Sequence, residues 1–188
     1  MLVETVETPN PNSLKFIPNM TVSEIGPVEV FKDKDTEDKK IPLANNILAI
    51  EGVTSIFFGD DFISVNKKEP VKWDDLKPGI ISEINDFYGK GNKVVLKKKL
   101  ENNDQQKEES KEESEVVTKI KEVLESKIRP AVARDGGDIK FRSFNDCIVT
   151  VELQGSCSGC PSSIVTLKRG VENMLKHYVP EVNSVESI

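Results

Sequence analysis

Histidine is almost absent from this chain of 188 residues, which has one, at position 177, and cysteine is scarce, with three. So few cysteines exclude a disulfide-stapled scaffold. No apolar run approaches the ~20 residues of a membrane span, so no membrane partner is expected. Positive charge is not in excess either. Lys and Arg total 26 against 32 Asp and Glu, a net charge of −6 that argues against a nucleic-acid partner. The opening "MLVETVETPNPNS" has neither a signal-peptide core nor an Arg-rich amphipathic presequence. We therefore expect a bacterial cytoplasmic protein or, alternatively, a mature mitochondrial matrix form whose presequence has been removed. There is no phosphate loop, no nucleophile–base arrangement and no carboxylate pair beyond turn residues such as Asp135 and Asp138. An enzyme is not expected.

What is present is a two-part α+β protein. Residues 98–114, "KKLENNDQQKEESKEES", contain one apolar residue, Leu100, and cannot bury a face. They read as a charged linker between two small domains, residues 1–97 and 115–188, whose Glu- and Lys-rich second half can extend the following helix. The first domain carries net charge −4, the linker −2 and the second domain zero.

In the first domain a Pro/Asn turn leads into a strand, Leu14 to Ile17. Leu43, Ile47 and Ile50 share a helical face. Two β-rich runs flank Gly59-Asp60-Asp61, a hairpin signal. Leu76, Ile80, Ile84 and Phe87 recur at helical spacing, with Gly89 as the expected cap. This predicts an antiparallel-sheet α+β domain.

The second domain predicts the order α-β-β-α-β. Val116, Ile120, Val123, Leu124 and Ile128 form a helical stripe that Pro130 ends or kinks. Ile139 and Phe141 lie on one strand, which reverses at Asn145-Asp146. Cys147, Val149, Val151 and Leu153 then share one face of the next strand, with Cys147 as a small buried residue. The last helix points Ile164, Leu167, Val171, Met174 and Tyr178 inward, and a short strand follows through Val182 and Val185.

The chemistry sits in "QGSCSGCPSS". Pro161 suits a first helical residue, which puts Cys160 near a helix N-cap and Cys157 in the loop outside it. Unpaired N–H groups and the positive helix end favour thiolate there. Gly155 and Gly159 leave room beside the sulfurs. Three chemistries compete: a dithiol oxidoreductase, structural zinc, and a metal or cluster shared between chains. Zinc needs about four ligands in one chain, and Cys147 and His177 are poorly placed to supply them. Two copies about a two-fold axis would bring four thiolates to one point.

The segments "DGGDIKF", "LQGSCSGCPSSIVTLKRGVENML" and "VPEV" resemble the NifU-type domain of the Nfu family of iron–sulfur scaffold and carrier proteins. "TPNPNSLKFIP", "IEGVTSIFFGDDFISV" and the Trp followed by "LKP" resemble the N-terminal domain of its two-domain members. The resemblance implies a 4Fe-4S cluster held between subunits through Cys157 and Cys160, with 2Fe-2S as the other form considered. It implies homodimers or higher assemblies on cluster binding, and upstream cluster-assembly proteins as partners. It also implies apo-clients such as lipoate synthase, aconitase-type enzymes and respiratory subunits. The N-terminal domain has no cysteine or histidine, so partner recognition is the role expected of it, with stabilising or solubilising the chain as the alternative. The alternative from another class is a thiol–disulfide oxidoreductase.

Overall fold

The structure, a computed structural model, describes residues 2–24, 26–33, 41–94, 115–158 and 161–188, with the side chains of 161–164 left aside. The linker expected at 98–114 lies outside the described residues.

The N-terminal domain is a five-stranded antiparallel sheet with two helices on one face. Its elements are β1 (Glu4–Glu7), β2 (Ser13–Ile17), β3 (Val28–Phe31), α1 (Pro42–Ala49), β4 (Val53–Phe58), β5 (Ile63–Lys67) and α2 (Trp73–Gly89). The strand order is β1-β2-β5-β4-β3. The β4–β5 hairpin pairs Phe58 with Ile63 across the expected turn. The two-residue strand period sets the two faces apart. Leu14, Phe16, Ile56, Phe58, Ile63 and Val65 pack with Leu43, Ile47, Ile80 and Ile84 of the helices into one core. Ser13, Lys15, Ser55, Phe57, Ser64 and Asn66 therefore occupy the opposite, outer face. The left-handed residue after α2 is Gly91 (φ 73), not Gly89, which is the last helical residue.

The C-terminal domain consists of α3 (Glu115–Val123), a π-helical turn (Leu124–Ile128), α4 (Arg129–Arg134), β6 (Gly137–Asn145), β7 (Ile148–Gly155), α5 (Pro161–Tyr178) and β8 (Ser184–Ser187). Strands β6 and β7 are antiparallel, and β8 adds parallel to β7 with α5 as the crossover. Pro130 does not end the first helix. The chain widens into a π turn just before it and stays helical to Arg134, because Pro130 falls in the first turn of α4, where its missing N–H costs least. Ile139, Phe141 and Phe144 all meet this core, since a bulge after Phe141 shifts the register by one residue.

Two expectations about this core are corrected. Cys147 is exposed, not buried. The β6–β7 loop has two residues, Asp146 and Cys147, and both adopt positive φ (49 and 61), as the turn twist requires. The reversal thus falls one residue later than expected and carries Cys147 out of the strand. On α5, Met174 and Tyr178 are exposed, whereas Leu175 and, just past the helix, Val179 are fully buried. The buried face runs Leu167, Val171, Leu175, Val179, a strict four-residue step.

Candidate functional site

The site forms at the open end of the β6–β7 hairpin. The last pairs there are Gly137–Gly155 and Asp138–Gln154, which place Gly136 and Gly137 beside residues 155–158. The Gly136 carbonyl accepts from the Ser156 N–H (3.1 Å), and the Ser156 Oγ donates to the Asp135 carbonyl (2.5 Å). Ser158 closes the turn, donating from its N–H (3.2 Å) and its Oγ (2.8 Å) to the Gly155 carbonyl. Two glycines are required by contact. Gly155 has φ 70, and a Cβ there would lie 2.6 Å from the Gly136 carbonyl oxygen. A Cβ on Gly137 would lie 2.5 Å from Cys157 Sγ.

Cys157 lies two residues past the end of β7 and is only 5% exposed, packed into the C-terminal core. Burial pushes its thiol up to about 11. The Ser156 hydroxyl, 3.8 Å from Sγ, opposes this, while the carboxylates of Asp135, Asp138 and Glu29 add to it. The sequence led us to expect thiolate at this loop. The structure shows the neutral thiol favoured, because loss of water around the charge outweighs local donors.

Cys160 lies outside the described residues. Helix α5 starts at Pro161, the residue expected to open it. Cys147 and His177, which the sequence placed poorly as ligands, lie far from Cys157. Cys147 sits at the far end of β7, roughly 25 Å of extended chain away. His177 sits near the far end of α5, about 24 Å of helix from Pro161, with its ring against Tyr178. No group of three or more His, Cys, Asp or Glu side chains suited to a metal occurs among the described residues.

Asp138 is not a turn former. Its carboxylate is buried and accepts from Arg129 Nε (2.7 Å) and Nη2 (3.1 Å), while Arg129 Nη1 reaches Glu125 (2.8 Å). Its hydrogen bonding to the Asp138 carboxylate is the main reason the guanidinium is held above its usual value. This clamp ties the π turn and α4 to the strand residue next to Gly137.

Sequence reasoning missed the residues of the N-terminal domain that lie against this loop. Ser64 Oγ donates to the Gly136 carbonyl (2.6 Å), Asn10 Nδ2 to the Ser156 carbonyl (3.0 Å) and Asn66 Nδ2 to the Gly155 carbonyl (3.2 Å). Glu29 accepts from Ser158 Oγ (3.1 Å) and the Gly155 N–H (3.3 Å). Lys15 Nζ donates to the Ala133 carbonyl (3.0 Å) near the end of α4, and burial there lowers its pKa. A cleft of about 430 Å³ opens beside Cys157, lined by Pro9 and Asn10 from one domain and by Asp135, Leu167 and Gly170 from the other. The alternation Ile63-Ser64-Val65-Asn66 is the signal that existed. By itself it says only that Ser64 and Asn66 point away from the core.

Two family models match the chain: "Scaffold protein Nfu/NifU N terminal" over residues 3–91 and "NifU-like domain" over residues 120–186. "NFU1 iron-sulfur cluster scaffold homolog, mitochondrial" from Homo sapiens is 46% identical over 195 residues, covering 100% of this chain and 72% of the relative. The protein of that name from Drosophila willistoni is 44% identical and covers 100% of this chain. "NifU-like protein 4, mitochondrial" from Arabidopsis thaliana is 46% identical and covers 99% of this chain. The chain spans 64% and 65% of the length of these last two relatives. With both of its domains matched and its whole length aligned to such relatives, the chain belongs to the Nfu family.

Proposed function

We propose that this protein is an iron–sulfur cluster scaffold and carrier, not an enzyme. It receives a 4Fe-4S cluster as cargo, holds it between two copies through Cys157 and Cys160, and passes it to apo-proteins. The observation that carries this reading is the half-site. Cys157 stands in a Gly/Ser loop, separated from Cys160 by two residues in the sequence, and the chain's other cysteine and its histidine are a strand and a helix length away. A cubane bound through all four irons needs four thiolates, so a second copy supplies two. The scaffold relatives named above support the same reading.

Binding replaces the thiol protons by iron, so each chain releases protons as its cysteines ligate. The bonds to iron, more than buried area, hold the two copies together. An acceptor's cysteines can then replace one copy's pair by ligand exchange. We assign residues 115–188 to cluster binding, 98–114 to the linker and 1–97 to partner recognition. The partners are upstream cluster-assembly proteins and apo iron–sulfur clients. The relatives named above are mitochondrial proteins, which favours the mitochondrial matrix over the bacterial cytoplasm expected from the sequence. A dithiol oxidoreductase is disfavoured, since it relies on an accessible thiol of lowered pKa and Cys157 is buried with its pKa raised.

The test is anaerobic reconstitution with iron and sulfide, followed by Mössbauer spectroscopy and analytical ultracentrifugation. Cys157→Ser and Cys160→Ser should each lose the cluster, and Cys147→Ala should keep it. A monomer carrying a complete four-iron cluster, without an external thiol, refutes the shared site.

A further inference from the structure

We propose that the outer face of the N-terminal sheet is a docking surface whose partner is the metal-free cysteine loop of the same chain, residues 155–158, and that this face must be vacated before a cluster is shared between two copies. The second half rests on the cluster reading above; the first does not.

The surface matches the loop group by group. Ser64, Asn66 and Asn10 donate to three backbone carbonyls, those of Gly136, Gly155 and Ser156, and Glu29 takes the Gly155 N–H and the Ser158 hydroxyl. The Gly136 carbonyl, just before β6, is thereby shared between Ser156 of its own domain and Ser64 of the other. The fit is also steric. A Cβ on Gly136 would lie 2.8 Å from Ser64 Oγ, and one on Gly155 would lie 3.0 Å from Phe57 Cδ1. Only a glycine-lined backbone can approach this closely.

The outer face carries the marks of a covered surface. Ser64 is fully buried, Ser55 and Phe57 nearly so, although all three point away from their own domain's core. Phe57 belongs to neither hydrophobic core. It fills the seam between the two.

The contact is also built to separate. It is made mainly of polar bonds to backbone groups that water can replace, and each domain keeps its own apolar core without it. Asn66 Oδ1 is buried in it with no hydrogen-bond partner among the described residues, a defect that a permanent interface would be expected to repair. Sharing a cluster requires a second copy's loop close enough for its thiolates to bond the same cluster as Cys157. Asn10 and Pro9 stand over the cleft beside that residue, so the N-terminal domain and a second copy compete for one place.

The experiment uses the full-length metal-free protein and two variants confined to the outer face and the β1–β2 turn beside it. Asn10→Ala with Asn66→Ala removes two donors. Ser64→Arg adds bulk where no space exists. Circular dichroism and thermal melting check that both domains stay folded. Iodoacetamide labelling of Cys157 is followed by peptide mass spectrometry, which separates it from Cys147 and Cys160. The double variant should label Cys157 roughly tenfold faster, the effect of about one net hydrogen-bond energy on an opening equilibrium. It should also form the reconstituted cluster dimer at lower protein concentration. Equal labelling in the parent and both folded variants overturns the docking surface. Faster labelling with unchanged cluster loading overturns the requirement to vacate it. If labelling accelerates but no protein takes up iron and sulfide, the cluster reading fails and the docking surface stands.

Discussion

Gly137→Ala tests how tightly Cys157 is held. A Cβ at this position would meet Cys157 Sγ at 2.5 Å, the Gln154 carbonyl oxygen at 2.7 Å and Cys157 Cβ at 3.1 Å. The first neighbour can rotate. The second is backbone of the paired strand and cannot move without spreading the hairpin at its Gly137–Gly155 end. The variant therefore has two routes, both unfavourable. Either Cys157 turns out of the core, or β6 and β7 separate locally. Overpacking of this kind costs about 1–3 kcal/mol. For a domain of this size, 2 kcal/mol corresponds to roughly 8–16 °C in the melting midpoint. The assay is calorimetry of the full chain, following the C-terminal transition, with iodoacetamide labelling of Cys157 in parallel. Gly89→Ala is the control. It changes the last residue of α2, where nothing lies within 4 Å, and should be neutral or slightly stabilising. If Gly137→Ala melts with the parent and leaves Cys157 equally protected, the close packing of that thiol is not real.

Cys157 also predicts a pH dependence. Its thiol titrates at about 11 in the folded state against 9.0 for the ordinary group, so the stabilisation is complete below pH 9 and is lost as pH rises toward 11. Up to roughly 3 kcal/mol should disappear across that window, measured by urea unfolding, and Cys157→Ala should flatten the profile. Arg129→Met strands a buried carboxylate, Asp138, and should cost about 3–5 kcal/mol, whereas Arg142→Ala breaks an exposed pair with Glu152 and should cost about 1 kcal/mol or less. Denaturant midpoints that rank these two the other way would contradict the clamp. On α5, Leu175→Ala should cost about 2–5 kcal/mol and Met174→Ala under about 1 kcal/mol, a contrast that thermal melting resolves.

Most of the architecture was legible because it is local. The β4–β5 hairpin follows from two β-rich runs around Gly59-Asp60-Asp61. The opening of α5 follows from Pro161, whose ring suits the first helical turn. The errors came where one residue of phase decides a side chain's fate. Placing the β6–β7 reversal at Asn145-Asp146 instead of Asp146-Cys147 put Cys147 in the core. Reading Met174 and Tyr178 as inward took one three-residue step after Val171 where the buried face takes four, to Leu175 and then Val179.

The sequence by itself determined the fold class and singled out the pair on which the proposed chemistry rests. Periodicity records which face of an element avoids water, and the Cys157–Cys160 spacing between glycines and a proline needs no distant partner to be recognised. Only the tertiary structure decided the state of Cys157 and the use of the outer sheet face. A thiol's protonation depends on how much water surrounds it, and that water is removed by core residues and strand β6 closing around it. Likewise Ser64 and Asn66 look like solvent-facing strand residues until the Gly136 and Gly155 carbonyls, 72 and 89 positions away, arrive against them. A hydrogen bond across such a separation leaves no local pattern, because its two halves are related only through the folded path of the chain.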